Sequence, residues 1–318
     1  MTIENIADRA GTGEGLERRV VRYGDLVPCL NAFVDTRTPG SDRKENFTII
    51  GPGVSENPDQ HVHIAEPHGF NIGGARQPPE CTNSQHSHDT AEVFVVHSGT
   101  WRFDFGEHGD DAQIAAGPGD VVSFPTRAFR GFRNIGSDTG FLWSVLGGDD
   151  PGRVTWAPSV FAMAGDYGLV LLENGALVDT AAGQRVPDGV APMPVTSRAA
   201  IDALRVMRAE DEDEVLARAP SNPAAGETLV IGEGGILPAA DGFALSRLML
   251  AAGDQVDAGA PHRAEVVFVQ QGAASVATPD GTVELRAGDT MTVPSGLART
   301  YASDSGAMLI VVRGLADR

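Results

Sequence analysis

Short apolar runs broken by turn residues dominate this chain, and long helical periodicity is scarce. Alternating or continuous runs of four to eight apolar residues between Gly and Pro clusters read as strands. Such runs occur at Phe47–Ile50, Val93–Val96, Thr100–Phe105, Val121–Phe124 and Gly140–Leu146. Earlier patches, including Leu30–Val34, are separated by Thr38-Pro39-Gly40, and Gly51-Pro52-Gly53 forms a further turn. In the Thr100–Phe105 run, Trp101, Phe103 and Phe105 fall on one face, because strand side chains alternate. Residues 152 to about 195 read as a connector, with partial helix over Phe161–Leu172 and a turn at Glu173-Asn174-Gly175. Ser197 suits an N-cap, predicting a helix from Arg198 to about Arg218 with Ile201, Leu204, Val206 and Met207 on its apolar side. The acidic run Glu210–Glu214 reads as a solvated face.

Composition supports this pattern. The 318 residues include 39 glycines and 20 prolines, which favours many strands and turns over a helical bundle. A net charge of −19 argues against nucleic-acid and anionic-membrane partners, which require positive patches. Two cysteines, Cys29 and Cys81, supply neither a disulfide framework nor a Cys-rich zinc site. The N-terminus lacks a secretory apolar core and no run reaches membrane-spanning length, so the expectation is a cytoplasmic protein.

The chemistry concentrates at Gln85–Gly99. His86, His88 and Glu92 follow the order His-x-His-x3-Glu. On a strand, the i, i+2 spacing of the histidines points both rings to one face. The next strand begins at Glu92. Two imidazoles and a carboxylate suit a borderline divalent metal such as iron, zinc, nickel or manganese. A second His-x-His, His61 and His63, has no carboxylate at a matching interval and reads as an ordinary half-exposed strand. His68 follows Glu66-Pro67 in a turn, and His108 falls in a polar hairpin tip. His97 falls on the outward parity of its strand, counting from an inward Glu92.

His86-x-His88-x3-Glu92-x6-Gly99 resembles the first motif of the cupin superfamily, and Gly119-x5-Pro125…Asn134 resembles the second. Glu80 stands where the family usually has a Gly before the first His, and Arg127 stands at another usual Gly. The resemblance implies an all-β fold with a few helices, built of double-stranded β-helix (jelly-roll) barrels with the metal inside. It also implies a fourth ligand, a His four residues before Asn134. That position is Arg130, which is cationic and has no lone pair to give a metal.

An internal repeat follows. Glu265…Gly272 mirrors Glu92…Gly99, and Gly288-Asp289…Pro294-x-Gly296 mirrors the second motif. Counting back from Glu265 places Gly259 and Pro261 at the His positions, with His262 one residue out of register. Arg299 takes the fourth-ligand position. Two barrels in tandem are expected, the second without ligands and with Glu265 paired to Arg299. The boundaries read as an N-terminal segment 1–45, a barrel with a candidate metal site at 46–150, a connector 151–225 and a degenerate barrel at 226–318.

The functional expectation is a metal-binding bicupin resembling gentisate-like or quercetin-like dioxygenases at fold and motif level. Iron(II) is the favoured ion. A small anionic substrate would be oriented by Arg130, which fits carboxylates bidentately. The alternatives are a metal-dependent isomerase of a small keto compound, or a non-catalytic bicupin whose pockets Glu–Arg pairs close. A homodimer is compatible with this architecture.

Overall fold

The computed structural model describes residues 14–315, so positions 1–13 of the polar lead-in lie outside the described residues. The chain divides into two compact units. One comprises Val27–Ala219 with Leu237–Gly242; the other comprises the described residues up to Leu26, Pro220–Ile236 and the described residues from Phe243 onward. The segment expected over residues 1–45 is thus shared between units at Leu26/Val27. Val20 and Val21 pair with Met291 and Thr290, and Leu16 is buried in the apolar cluster of the later unit, so the early residues complete that barrel.

The Val27–Ala219 unit is a two-sheet barrel. One sheet runs in the order Val154–Trp156, Thr82–His88, Arg130–Asn134, Trp101–Phe105, Ala112–Ala116. The other orders Leu216–Ala217, Val121–Phe124, Glu92–Ser98, Gly140–Gly147, Phe70–Gln77, Glu45–Ile50 and Val62–Ile64. Between them lie Phe94, Trp101, Phe103, Phe105, Phe124 and Phe132, all buried in one cluster. Phe94 meets Phe132 edge-on at 5.2 Å between centroids and Phe124 edge-on at 5.5 Å, an arrangement the ring quadrupoles favour.

The Thr82–His88 strand, Thr-Asn-Ser-Gln-His-Ser-His, has no apolar residue. Hydrogen-bonded partners on both sides, not propensity, make it a strand. Placing polar residues on an interior strand leaves imidazoles where a structural barrel would bury Val or Ile.

The second unit repeats the theme around the long strand Glu265–Thr278. That strand pairs with Gly281–Arg286, Thr290–Val293, Thr300–Ser303 and Ala307–Gly314. Val267, Val269, Leu285, Met291, Leu309 and Val311 fill its core.

The connector departs from expectation. Ser197 does cap a helix, accepting from the Ala200 N–H at 3.2 Å, but that helix covers only Arg198–Asp202. A short 3-10 turn, Ala209–Asp211, and a helix, Glu212–Val215, replace the remainder. The break has a tertiary cause. Arg205 bridges to Ala128 through its N–H on the Arg127 carbonyl, and Met207 is drawn into the barrel core. The earlier helix is Pro158–Asp166, and Leu169–Leu171 pairs with Leu177–Asp179 across the turn at Gly175.

Candidate metal centre

His86 and His88 sit at the end of Thr82–His88, in the first sheet. Asp89–Ala91 turns the chain so that Glu92 opens the Glu92–Ser98 strand of the other sheet, paired with Phe124 and Leu146. Three residues of turn thus bring candidate ligands from two sheets together. The side-chain donor atoms of His86, His88 and Glu92 all lie within 4.8 Å of one another, and all three residues are buried. His88 Nε2 is 3.8 Å from Glu92 Oε2.

The imidazoles are in the state a metal requires. His86 Nδ1 lies 2.7 Å from the Ser84 carbonyl, which can only accept, so Nδ1 carries the proton and Nε2 keeps its lone pair. His88 Nδ1 is buried without a hydrogen-bond partner. Burial, reinforced by the Arg130 charge, lowers the His86 pKa to about 3 and holds His88 well below the usual histidine value. Both rings are therefore neutral near pH 7, and the donor set fits a divalent ion.

Arg130 stands beside this set. In register it faces His86 across the strand pair, the position the motif assigns to a fourth ligand. Its guanidinium is 1% exposed and donates to Glu92 Oε2 from Nη2 at 2.5 Å and from Nε at 3.2 Å. Its Nη1 points to the Ala128 carbonyl at 3.4 Å, and its Cζ lies 5.3 Å from the Phe124 ring centre. Both contacts with Glu92 fall on one carboxylate oxygen.

A cavity, partly open to solvent, adjoins the cluster and is lined by His86, His88 and Glu92. Phe33, Phe47, Phe94, Phe132 and Trp156 give it aromatic walls. Among the described residues, no Lys or Arg lines it. The expectation that Arg130 faces the substrate meets a different geometry: Arg130 lies behind Glu92, its donors directed to that carboxylate and to a backbone carbonyl.

Residues that motif reasoning left out also shape the site. Trp156 pairs in register with His86, and the two rings are 5.3 Å apart. The indole N–H donates to Glu56 Oε1 at 2.6 Å, while the Val34 N–H donates to Oε2 at 2.6 Å. Burial pushes the Glu56 carboxyl up to about 8, against these donors. Nearby, buried Lys44 pairs with Asp35 and donates to Asn83 Oδ1 at 2.8 Å. No local pattern marks Glu56 or Trp156, because their partners are 22 and 100 residues away in the chain.

The other histidines take structural places. His63 Nδ1 meets the Thr48 carbonyl at 2.9 Å, and its Nε2 accepts from the Val27 N–H at 3.1 Å. His97 packs on Phe141 with ring centres 6.1 Å apart, and His68 Nδ1 meets the Glu66 carbonyl. In the second barrel, Glu265 is wholly buried and accepts from Arg299 Nε at 2.8 Å, Tyr301 Oη at 2.5 Å and Arg313 Nε at 2.6 Å. Burial, with the Glu265 charge beside it, raises the Tyr301 pKa and keeps the phenol protonated. His262 is exposed.

Residues 75–145 match the Cupin domain family. No curated protein matches the chain. Among solved structures, a deletion mutant of Bacillus subtilis oxalate decarboxylase aligns with a TM-score of 0.56 at 12% identity, covering 93% of this chain and 76% of that one. A structure concerned with the Mn(II) centres of the same enzyme gives 0.56 and 12%, covering 94% and 78%. A bacterial pirin from Escherichia coli in complex with nickel(II) gives 0.54 and 11%, covering 94% and 99%. The matched stretch is a cupin domain, and the chain shares a two-barrel fold with these structures. No helix among the described residues is long and apolar enough to cross a membrane.

Proposed function

We propose that the first barrel binds a divalent ion, iron(II) by preference, on His86, His88 and Glu92, and that the protein is a dioxygenase-like oxidoreductase of a small organic molecule. One observation carries the reading: two buried, neutral imidazoles and a carboxylate converge at the wall of an apolar cavity. Such an ion supplies a Lewis-acidic centre with open positions for substrate oxygen and dioxygen. The Ser84 carbonyl orients His86, and Arg130 orients Glu92. The aromatic walls give the cluster largely apolar surroundings. With no Lys or Arg on those walls, the substrate's ionisable oxygen is met at the cluster and its apolar body by the aromatic side chains. The Mn(II) and nickel(II) named for the structural neighbours are compatible with a divalent ion here.

A second reading has its own support. The Arg130–Glu92 pair neutralises the carboxylate without any ion, as the Arg299–Glu265 pair does in the second barrel, and would suit a non-catalytic bicupin. Metal analysis of protein purified without chelator separates the two, followed by oxygen-uptake measurements on a panel of catechols and hydroxy acids. Stoichiometric iron that His86→Ala and His88→Ala both lose, with substrate-dependent oxygen uptake, is expected. Zinc or nickel without oxygen uptake would favour a Lewis-acid isomerase. No retained metal and no binding of added iron(II), zinc, nickel or manganese would leave the non-catalytic reading.

A further inference from the structure

The cavity wall farther from the ligand cluster contains a polar group that no partner among the described residues satisfies. Three neighbouring strands build this wall. Asn46 pairs with Ala75, and Ala75 with Leu142; in the next inward row Thr48 pairs with Gly73, and Gly73 with Ser144. Asn46, Thr48, Gly73, Ala75 and Ser144 all line the cavity. The Thr48 hydroxyl is bonded to Gln60 Oε1, and Gln60 Nε2 donates to the Pro52 carbonyl. The Asn46 backbone is engaged as well, bonded in both directions to Cys29. Its side-chain amide is not: Nδ2 is buried without a hydrogen-bond partner.

Leaving a buried amide unpaired is costly, so folded proteins keep few of them. An apolar residue would fill the same place without that penalty. The small residues beside it keep the wall open, since a Cβ on Gly73 would come within 3.0 Å of Ser144 Oγ. Along Gly140–Gly147, Leu146 pairs with Glu92 and Leu142 lies in the row of Asn46. Those rows are four residues apart, roughly 13 Å at strand rise. The unpaired amide is therefore remote from the ion ligands while facing the same cavity.

We infer that Asn46 is a specificity-determining residue, its amide recognising a hydrogen-bonding oxygen at the end of the substrate remote from His86, His88 and Glu92. The ligand class is an uncharged, ring-bearing molecule with oxygen at both ends: one end for the metal cluster, the other for the amide. An amide offers both a donor and an acceptor, so a hydroxyl satisfies it in either sense. The assignment rests on the metal-site reading for the first end of the ligand and on Asn46 alone for the second.

The test compares 4-phenylcatechol with 4-(4-hydroxyphenyl)catechol, which differ in one remote hydroxyl. Binding is read by quenching of tryptophan fluorescence, since Trp156 lines the cavity, in both zinc-loaded and metal-free protein. In the wild type the hydroxyl should tighten binding roughly tenfold, the equivalent of one well-made hydrogen bond. In Asn46→Leu that gain should vanish while 4-phenylcatechol binds at least as well as before. Circular dichroism checks folding; if Asn46→Leu is unfolded, Asn46→Ala makes the same comparison. An equal hydroxyl gain in the variant, no gain in the wild type, or no binding of either probe at millimolar concentration overturns the assignment. A hydroxyl gain that depends on Asn46 but is the same without zinc supports it while refuting the metal's part in binding.

Discussion

Arg130→Met should destabilise the first barrel by about 3–5 kcal/mol in metal-free protein, the usual cost of removing one partner of a buried ion pair. The structure favours that full range. Arg130 is 1% exposed, Glu92 is comparably buried, and Arg130 is the cation in contact with that carboxylate. Methionine retains much of the volume against Phe124, so most of the loss reflects uncompensated charge rather than a void. The chain offers a selective probe, because its three tryptophans, Trp101, Trp143 and Trp156, are all buried and all lie in the Val27–Ala219 unit. Denaturant unfolding followed by tryptophan fluorescence thus reports this barrel alone. Arg130→Met/Glu92→Leu should recover most of the loss, since replacing both ions by apolar groups is often neutral. Zinc should stabilise Arg130→Met more than wild type, because the ion replaces the missing positive charge. Binding at a hundredfold excess over Kd contributes about 2.7 kcal/mol. An Arg130→Met midpoint equal to wild type, or a double variant no better than the single, would refute the account of this pair.

Other outcomes follow from the same geometry. With the His86 pKa lowered to about 3 and His88 shifted the same way, neither ring competes with protons near neutrality. Zinc affinity measured by calorimetry should therefore stay nearly flat from pH 5 to 8, and a steep loss below pH 6.5 would contradict it. Arg130→His should tighten metal binding by placing an imidazole opposite His86, and unchanged affinity would count against that register. Glu56, raised from 4.5 to about 8, contributes stability that is fully present below pH 4.5 and lost as pH rises through 8. Between pH 6.5 and 8, where the His86 contribution is already complete, the first barrel should lose about 2 kcal/mol. Glu56→Gln should flatten that slope in tryptophan-monitored unfolding. In the second barrel, Tyr301→Phe should lower the thermal midpoint seen by far-ultraviolet circular dichroism without altering metal content; a change in bound metal would show that this barrel takes part in ion binding.

Much of the site was legible from spacing because its parts are local. His86, His88 and Glu92 span seven residues, and strand alternation with one short turn suffices to bring them together. The repeat at Glu265 and the arginine at position 299 were equally readable, since a Glu-x6-Gly interval survives even where histidines do not. The connector shows the limit. Ser197 is a good N-cap and the following residues favour helix, yet the bridge from Arg205 to Ala128 and the burial of Met207 end the helix at Asp202. Tertiary contacts outweighed a local preference worth only tenths of a kcal/mol per residue.

By itself the sequence determined an all-β architecture, the duplication of a barrel and which three polar residues converge in the first, because strand periodicity and motif spacing are properties of short segments. Only the tertiary structure decided what surrounds them. It turned Arg130 onto Glu92 rather than into the cavity, set Trp156 against His86, clamped Glu56 between Trp156 and Val34, and left the Asn46 amide unpaired on the wall. Each of these joins residues far apart in the chain. Their pKa shifts and unmet hydrogen bonds arise from burial, which exists only once the barrel has closed.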